Sequence, residues 1–163
     1  MVDATAPQHT VDEDGFVCLA CPDTYEGFVD EDWTLSQVLS RFAEQMSLGR
    51  AFVAYPGPDC CDEPLTVTDA LSDKPASRVV SGVMSVGEGG LWLTDYTEMT
   101  MAAQFPDSRP IAYYHPRLPV VPGIYKVILR QLEGEDIRFE LAIVAAPDAP
   151  LVAFDEVPWF DLP

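Results

Sequence analysis

Two cysteine pairs carry the most reactive side chains of the chain: Cys18 and Cys21, spaced C-x-x-C in "GFVCLACPDTYEGFVDEDWT" (residues 15–34), and the adjacent Cys60 and Cys61 in "DCCDE". Thiolates at such spacings bind zinc or exchange disulfides, and the four sulfurs, with His9 or His115 in reserve, would be enough for a tetrahedral zinc site. Their surroundings argue against it. Neighbouring cysteines rarely aim both sulfurs at one ion, V-C-L-A-C alternates like a strand without the glycines that turn a zinc knuckle, and no helix begins directly after Cys21 to lower a thiol pKa. Cys18 and Cys21 read as small buried hydrophobes. A zinc- or thiol-dependent small enzyme using Cys18, Cys21, Cys60 and Cys61 is the alternative to a non-enzyme.

Other catalytic patterns are missing from the sequence: there is no G-x-S-x-G, no glycine loop for phosphate and no H-E-x-x-H. Of the two histidines, His9 lies in a polar segment, and His115, in "YYHPR", reads as a loop residue with a local hydrogen bond. "DEDG" at residues 12–15 lacks the later ligands of a calcium loop. No catalytic residue, metal or cofactor is expected.

Carboxylates are the abundant groups, 27 Asp and Glu against 9 Lys and Arg, a net charge of −18. Such a balance opposes contact with phosphate backbones and anionic membranes and favours fast capture of a basic protein. The excess is concentrated at the front of the chain, where no Lys or Arg precedes Arg41. Between residues 23 and 33 acids and aromatics alternate: Asp23, Tyr25, Glu26, Asp30, Glu31, Asp32 and Trp33 form the first candidate partner-binding set, and Asp59, Asp62 and Glu63 the second. Aromatic residues are favoured at interface centres, and a row of acids can meet the Lys and Arg with which a nuclease holds phosphates. Asp30, Glu31 and Asp32 also suit the positive end of the helix that follows, and Trp33 suits a staple onto it.

That helix is the clearest element. In "WTLSQVLSRFAEQMSLG" Leu35, Val38, Leu39, Phe42 and Met46 recur at three- and four-residue steps, with Thr34 or Asp32 to cap the start and Gly49 to end it. Elsewhere the periodicity is that of strands. "GFVCLACP" and "RAFVAYPGP" are short buried strands, "DCCDEPLTVTDALSDKPAS" is an irregular acidic connection, and residues 78–105 hold two or three strands with a turn at Gly87–Gly90. A hairpin joins Tyr125, Val127 and Leu129 to Ile137–Val144 across Glu133–Asp136, and the C-terminal segment adds a strand or docks Trp159 and Phe160.

One helix followed by about seven strands predicts a mainly β (α+β) fold, an antiparallel two-sheet, sandwich-like domain with one amphipathic helix near the N-terminus. Residues 1–14 read as a flexible acidic tail and 15–163 as a single β-rich domain; a hydrophobic content of 48% supports a folded core. No apolar run reaches membrane-spanning length and the N-terminus lacks signal-peptide character, so a cytoplasmic protein is expected.

The D-W-T helix start (Asp32, Trp33, Thr34) and the P-G-I-Y-K-V strand start (Pro122–Val127) make the chain resemble small acidic bacterial nuclease inhibitors, including the competence-nuclease inhibitor group and the immunity proteins paired with secreted toxins. The resemblance covers about a tenth of the chain and supplies no binding residues. It implies a β-rich, non-catalytic inhibitor of a cognate basic toxin, most naturally a nuclease, with no nucleic-acid or membrane partner. An acidic adaptor for some other basic protein is the remaining alternative.

Overall fold

The computed structural model describes residues 9–160. Eight strands form two sheets: β1 (His9–Thr10), β2 (Val17–Ala20), β3 (Ala51–Ala54), β4 (Pro64–Thr68), β5 (Ala76–Val86), β6 (Trp92–Thr94), β7 (Gly123–Leu132) and β8 (Phe139–Ala145). Two helices, α1 (Leu35–Ser47) and α2 (Tyr96–Gln104), accompany them. The larger sheet has the order β1-β4-β8-β7-β5 and the smaller β3-β2-β6, and buried side chains from both sheets and both helices share one apolar cluster. The fold is mostly β, α+β and sandwich-like.

The helix α1 follows its sequence signals. Thr34 is the N-cap: its hydroxyl accepts the Gln37 N–H at 3.3 Å, and the Gln37 side-chain oxygen accepts the Thr34 N–H at 2.9 Å. Gly49 follows the helix with φ +74°, a left-handed backbone conformation that selects glycine. The buried face consists of Val38, Leu39, Phe42, Ala43, Gln45 and Met46, whereas Leu35, expected in the stripe, is exposed. The β7–β8 hairpin also forms as expected, with Leu129 opposite Leu141 and Val127 opposite Ile143, all on core side chains.

Three features differ from the sequence reading. The segment expected to hold only strands contains α2, capped by Asp95, whose carboxylate accepts the Glu98 N–H at 2.8 Å. "PLTVT", expected to be irregular, is β4, and it pairs with β8 in parallel, so the larger sheet is not wholly antiparallel. Of the segment read as a tail, residues 1–8 lie outside the described residues. His9–Thr10 pairs with β4, and Val11 is fully buried, because the Val11 N–H donates to the Glu63 carbonyl and its carbonyl accepts the Asp62 N–H. At the other end Trp159 docks under Arg78, whose guanidinium carbon lies 4.1 Å from the ring centroid, and Phe160 meets Tyr55 at 4.8 Å.

Glu140 on β8 is a buried carboxylate. Arg130 Nη1 on β7 lies 2.8 Å from it, and the Ser72 N–H donates to the same oxygen at 3.3 Å. Burial alone would raise this carboxyl; the hydrogen bonds from Ser72 and Arg130 outweigh it and hold the group below its ordinary range. A lowered carboxyl contributes stability above the ordinary carboxylate pKa and loses it as pH falls through the folded value. Arg130→Met, which leaves that charge unpaired, should cost about 3–5 kcal/mol in urea unfolding at pH 7. A loss below about 1 kcal/mol would show that the pair is not a closed, dry one.

Candidate partner-binding surface

The first acidic segment leaves β2 through a turn in which the Thr24 and Tyr25 N–H groups both donate to the Cys21 carbonyl. The turn directs Tyr25 inward, to 9% exposure, and Gly27 leaves room for its ring: a Cβ at 27 would fall 2.2 Å from a ring carbon. Burial pushes the phenol well above its usual pKa, and the hydroxyl has no partner among the described residues. Tyr25 therefore belongs to the core and not, as expected, to a partner surface.

The other members of the set divide by what holds them. Asp23 accepts the Gly89 N–H at 2.5 Å and ties the Gly87–Gly90 turn to this loop. Glu26 is anchored by its backbone, with its N–H donating to buried Gln45 of α1 at 2.9 Å, and its carboxylate lies 3.4 Å from Arg50. The Val29 and Asp30 N–H groups donate to the Ala103 carbonyl, which sets Asp30, Glu31 and Asp32 against the C-terminal end of α2. Asp30 closes a local turn by accepting the Asp32 N–H at 2.9 Å. Among the described residues none of Asp30, Glu31 and Asp32 pairs with Lys, Arg or His, and all three are exposed. Trp33 is half-buried against the core.

Of the second set, Asp59 lies within a short 3₁₀ turn (Pro58–Cys60), and Asp62 and Glu63, which follow it, are joined to the strand end at Val11 by the two hydrogen bonds described above. That junction adds Asp12, Glu13 and Asp14, which the tail reading had set aside. Asp12 is the fastening: Oδ1 accepts the N–H of Asp14 at 2.9 Å and of Phe16 at 2.8 Å, and Oδ2 accepts the Tyr96 N–H at 2.8 Å. Burial pushes its carboxyl up to about 6 in spite of those donors. Asp14 reaches the Thr97 hydroxyl at 3.4 Å. A cleft of about 370 Å³ runs beside Asp12, Asp62, Asp95 and Tyr114 and brings His9 and His115, the two histidines of the chain, to one place. The two acidic segments thus meet opposite ends of one helix, residues 12–14 at its start and 30–32 at its finish. The D-x-x-E pattern Asp95–Glu98 was the available sequence signal for that helix.

His115 is hydrogen-bonded through both ring nitrogens, and the four thiols have raised pKa values. His115 Nδ1 accepts the Ala112 N–H at 2.7 Å, which places the ring proton of the neutral form on Nε2, 3.1 Å from Asp95 Oδ2. Both nitrogens are thereby engaged in fixing the loop after α2 to its N-cap. Cys18 is wholly buried and its thiol pKa is raised by burial; burial pushes Cys21 to about 12, and its Sγ lies 3.6 Å from the Ser85 carbonyl. Cys60 and Cys61 are raised by burial as well, and all four thiols are free. Among the described residues no three His, Cys, Asp or Glu side chains assemble into a metal site.

No protein-family model matches the chain, and no curated protein matches it. Its structure is similar to the crystal structure of ComJ, inhibitor of the DNA degrading activity of NucA, from Bacillus subtilis, at 11% identity and a TM-score of 0.49, over 90% of this chain and 99% of that one. That protein is a nuclease inhibitor, the class that the D-W-T and P-G-I-Y-K-V segments resemble; the likeness transfers neither residue roles nor an activity.

The thiols give a direct check on the enzyme alternative. With Cys21 at about 12, only about one molecule in 10⁴ carries its thiolate at pH 8. Ellman's reagent at that pH should leave Cys18 and Cys21 unlabelled over hours in the folded protein and titrate both at once in guanidinium. Rapid labelling of Cys21 in the native state would reopen thiol chemistry.

Proposed function

We propose that this chain is a non-catalytic inhibitor or immunity protein that binds and neutralises a cognate basic protein, and that the protein it blocks is a secreted nuclease toxin. The observation that carries this reading is the exposure of Asp30, Glu31 and Asp32, together with the Asp59–Glu63 loop, with no Lys, Arg or His among the described residues paired with the three adjacent acids. A nuclease holds its substrate by lysines and arginines placed for phosphates, and a fixed row of carboxylates offers those cations the same sign of charge without a bond to cleave. A net charge of −18 steers such a partner inward and repels nucleic acid.

The engaged nitrogens of His115 and the raised thiols support an inhibitor without chemistry of its own. The reading places the protein in the cytoplasm, where unpaired thiols persist and a producing cell needs protection. No helix among the described residues is long and apolar enough to cross a membrane. Tyr25 drops from the proposed contact residues; Asp23, Glu26, Asp30, Glu31, Asp32, Trp33, Asp59, Asp62 and Glu63 remain in them.

Titration of this protein into basic secreted bacterial nucleases, with DNA and RNA hydrolysis as the readout, should find one whose activity falls linearly to zero at one equivalent. Its dissociation constant should rise at least tenfold between about 0.05 and 0.3 M NaCl as screening shortens the reach of the charges. Replacing Asp30, Glu31 and Asp32 with Asn, Gln and Asn should weaken that complex by about 1.5 kcal/mol or more without lowering the melting temperature, since desolvated interfacial pairs couple at roughly 1.5–7 kcal/mol. A basic enzyme that binds without losing activity points to the adaptor, and failure to inhibit any of them removes the inhibitor reading.

A further inference from the structure

The helix α2 turns Met99, Ala102 and Ala103 to the core and leaves Thr97, Met101 and Phe105 on a stripe of four-residue steps facing out. Met101 is 40% exposed and Phe105 42%. Phe28, also exposed, lines a surface hollow of about 350 Å³ near the C-terminal end of the helix with Ala102, Pro106, Glu26 and Ser108. The helix itself carries no Lys or Arg, and the nearest cation in sequence is Arg109, exposed just beyond the turn after Phe105. Arg41, which borders the same hollow, is spent on the Glu26 carbonyl at 3.2 Å and on Glu44 at 3.9 Å.

The charges around this strip have a definite arrangement. Asp14 touches Thr97 at one end, Asp30 is hydrogen-bonded through its N–H to Ala103 at the other, and the six-residue rise between Thr97 and Ala103 is about 9 Å. An apolar centre between two carboxylate groups is the composition of an interface, with burial in the middle and charge at the rim. Cations six or seven residues apart on a partner helix, roughly 9–11 Å, would span that separation.

We infer that the outer face of α2, from Asp14 across Met101 and Phe105 to Asp30–Asp32, is the docking surface, and that its occupant is a segment of the partner protein carrying Lys or Arg on both sides of one or two apolar side chains. This inference rests on the inhibitor reading for the identity of the partner, while the surface itself stands on the exposed strip and its charge pattern. It makes Met101 and Phe105 the centre of the contact, moves the Asp59–Glu63 loop to its margin, and explains why two acidic segments far apart in sequence are fastened to one short helix.

The test uses the whole chain and two synthetic peptides: an amphipathic one of alternating Arg and Leu, and oligolysine of equal charge. In ¹H–¹⁵N spectra the Arg–Leu peptide should shift Asp14, Thr97, Met101, Phe105 and Asp30–Asp32 together and bind at least tenfold more tightly than oligolysine. Met101→Ser with Phe105→Ser should abolish that tenfold preference, and Met101→Lys with Phe105→Lys, which keeps good side-chain length at exposed positions, should remove binding of both peptides. Shifts centred on Asp59–Glu63, shifts spread evenly over all acids, or a serine variant that binds like wild type would overturn the docking surface. Inhibition is read separately. A nuclease blocked equally by wild type and by the serine variant overturns the α2 surface while the inhibitor reading stands; peptide bound on α2 by a chain that inhibits no nuclease keeps the surface and removes that reading.

Discussion

Self-repulsion is the constraint around which this molecule is arranged. A chain with 27 acids and 9 bases can fold only if nearly every carboxylate stays in water, because an unpaired buried one costs several kcal/mol. Among the described residues Glu140 is buried and has Arg130 at 2.8 Å, while the half-buried Asp12 accepts three backbone N–H groups. The core is consequently built almost wholly from aliphatic and aromatic side chains of both sheets and both helices, with Gln45 and His115 as buried polar groups that each hold a loop. The acids are left to the turns, where short hydrogen bonds to backbone N–H groups fix them, as at Asp12, Asp23, Asp30 and Asp95.

The scarce arginines serve as stitches as well as partners for carboxylates, the latter at Arg41, Arg50, Arg130 and Arg138. Arg41 reaches the Glu26 carbonyl, Arg78 the Pro56 carbonyl, Arg117 the Glu88 carbonyl, and Arg130 the carbonyls of Ser72 and Lys74. Each planar guanidinium satisfies a loop carbonyl that no strand or helix partner takes up, a use to which a lysine ammonium is less suited. The electrostatic balance is set by number: nine basic residues against 27 acids leave the surface field strongly negative and available to a basic partner.

How much of this was legible in the sequence depended on how local the cause was. Helix α1 was written in Thr34, Gln37 and Gly49, and the β7–β8 hairpin in alternation around Gly134, because both are decided within a few residues. Helix α2 was missed: its buried face is only Met99, Ala102 and Ala103, so its periodic contrast is low, and Thr97 and Thr100 suggest a strand. Strand β4 was missed because its parallel partner, β8, lies about seventy residues on, and β1 because two residues carry no period at all. The candidate surface was half visible. Acid runs at 30–32 and 59–63 stand out in composition, but that Tyr25 turns inward depends on space over Gly27, and that residues 12–14 share a helix with residues 30–32 depends on the missed α2.

The excess of outward, uncompensated carboxylates is measured most directly in the free protein, by its thermal midpoint as NaCl is raised from about 0.01 to 0.1 M. The Debye length falls over that range from about 30 to about 10 Å, which screens repulsion between exposed charges and barely affects the buried Arg130–Glu140 pair. If the acids repel one another across the surface, the midpoint rises by several degrees. A midpoint that stays constant or falls would mean that the carboxylates are already balanced within the fold, and that no unmatched negative surface awaits a partner.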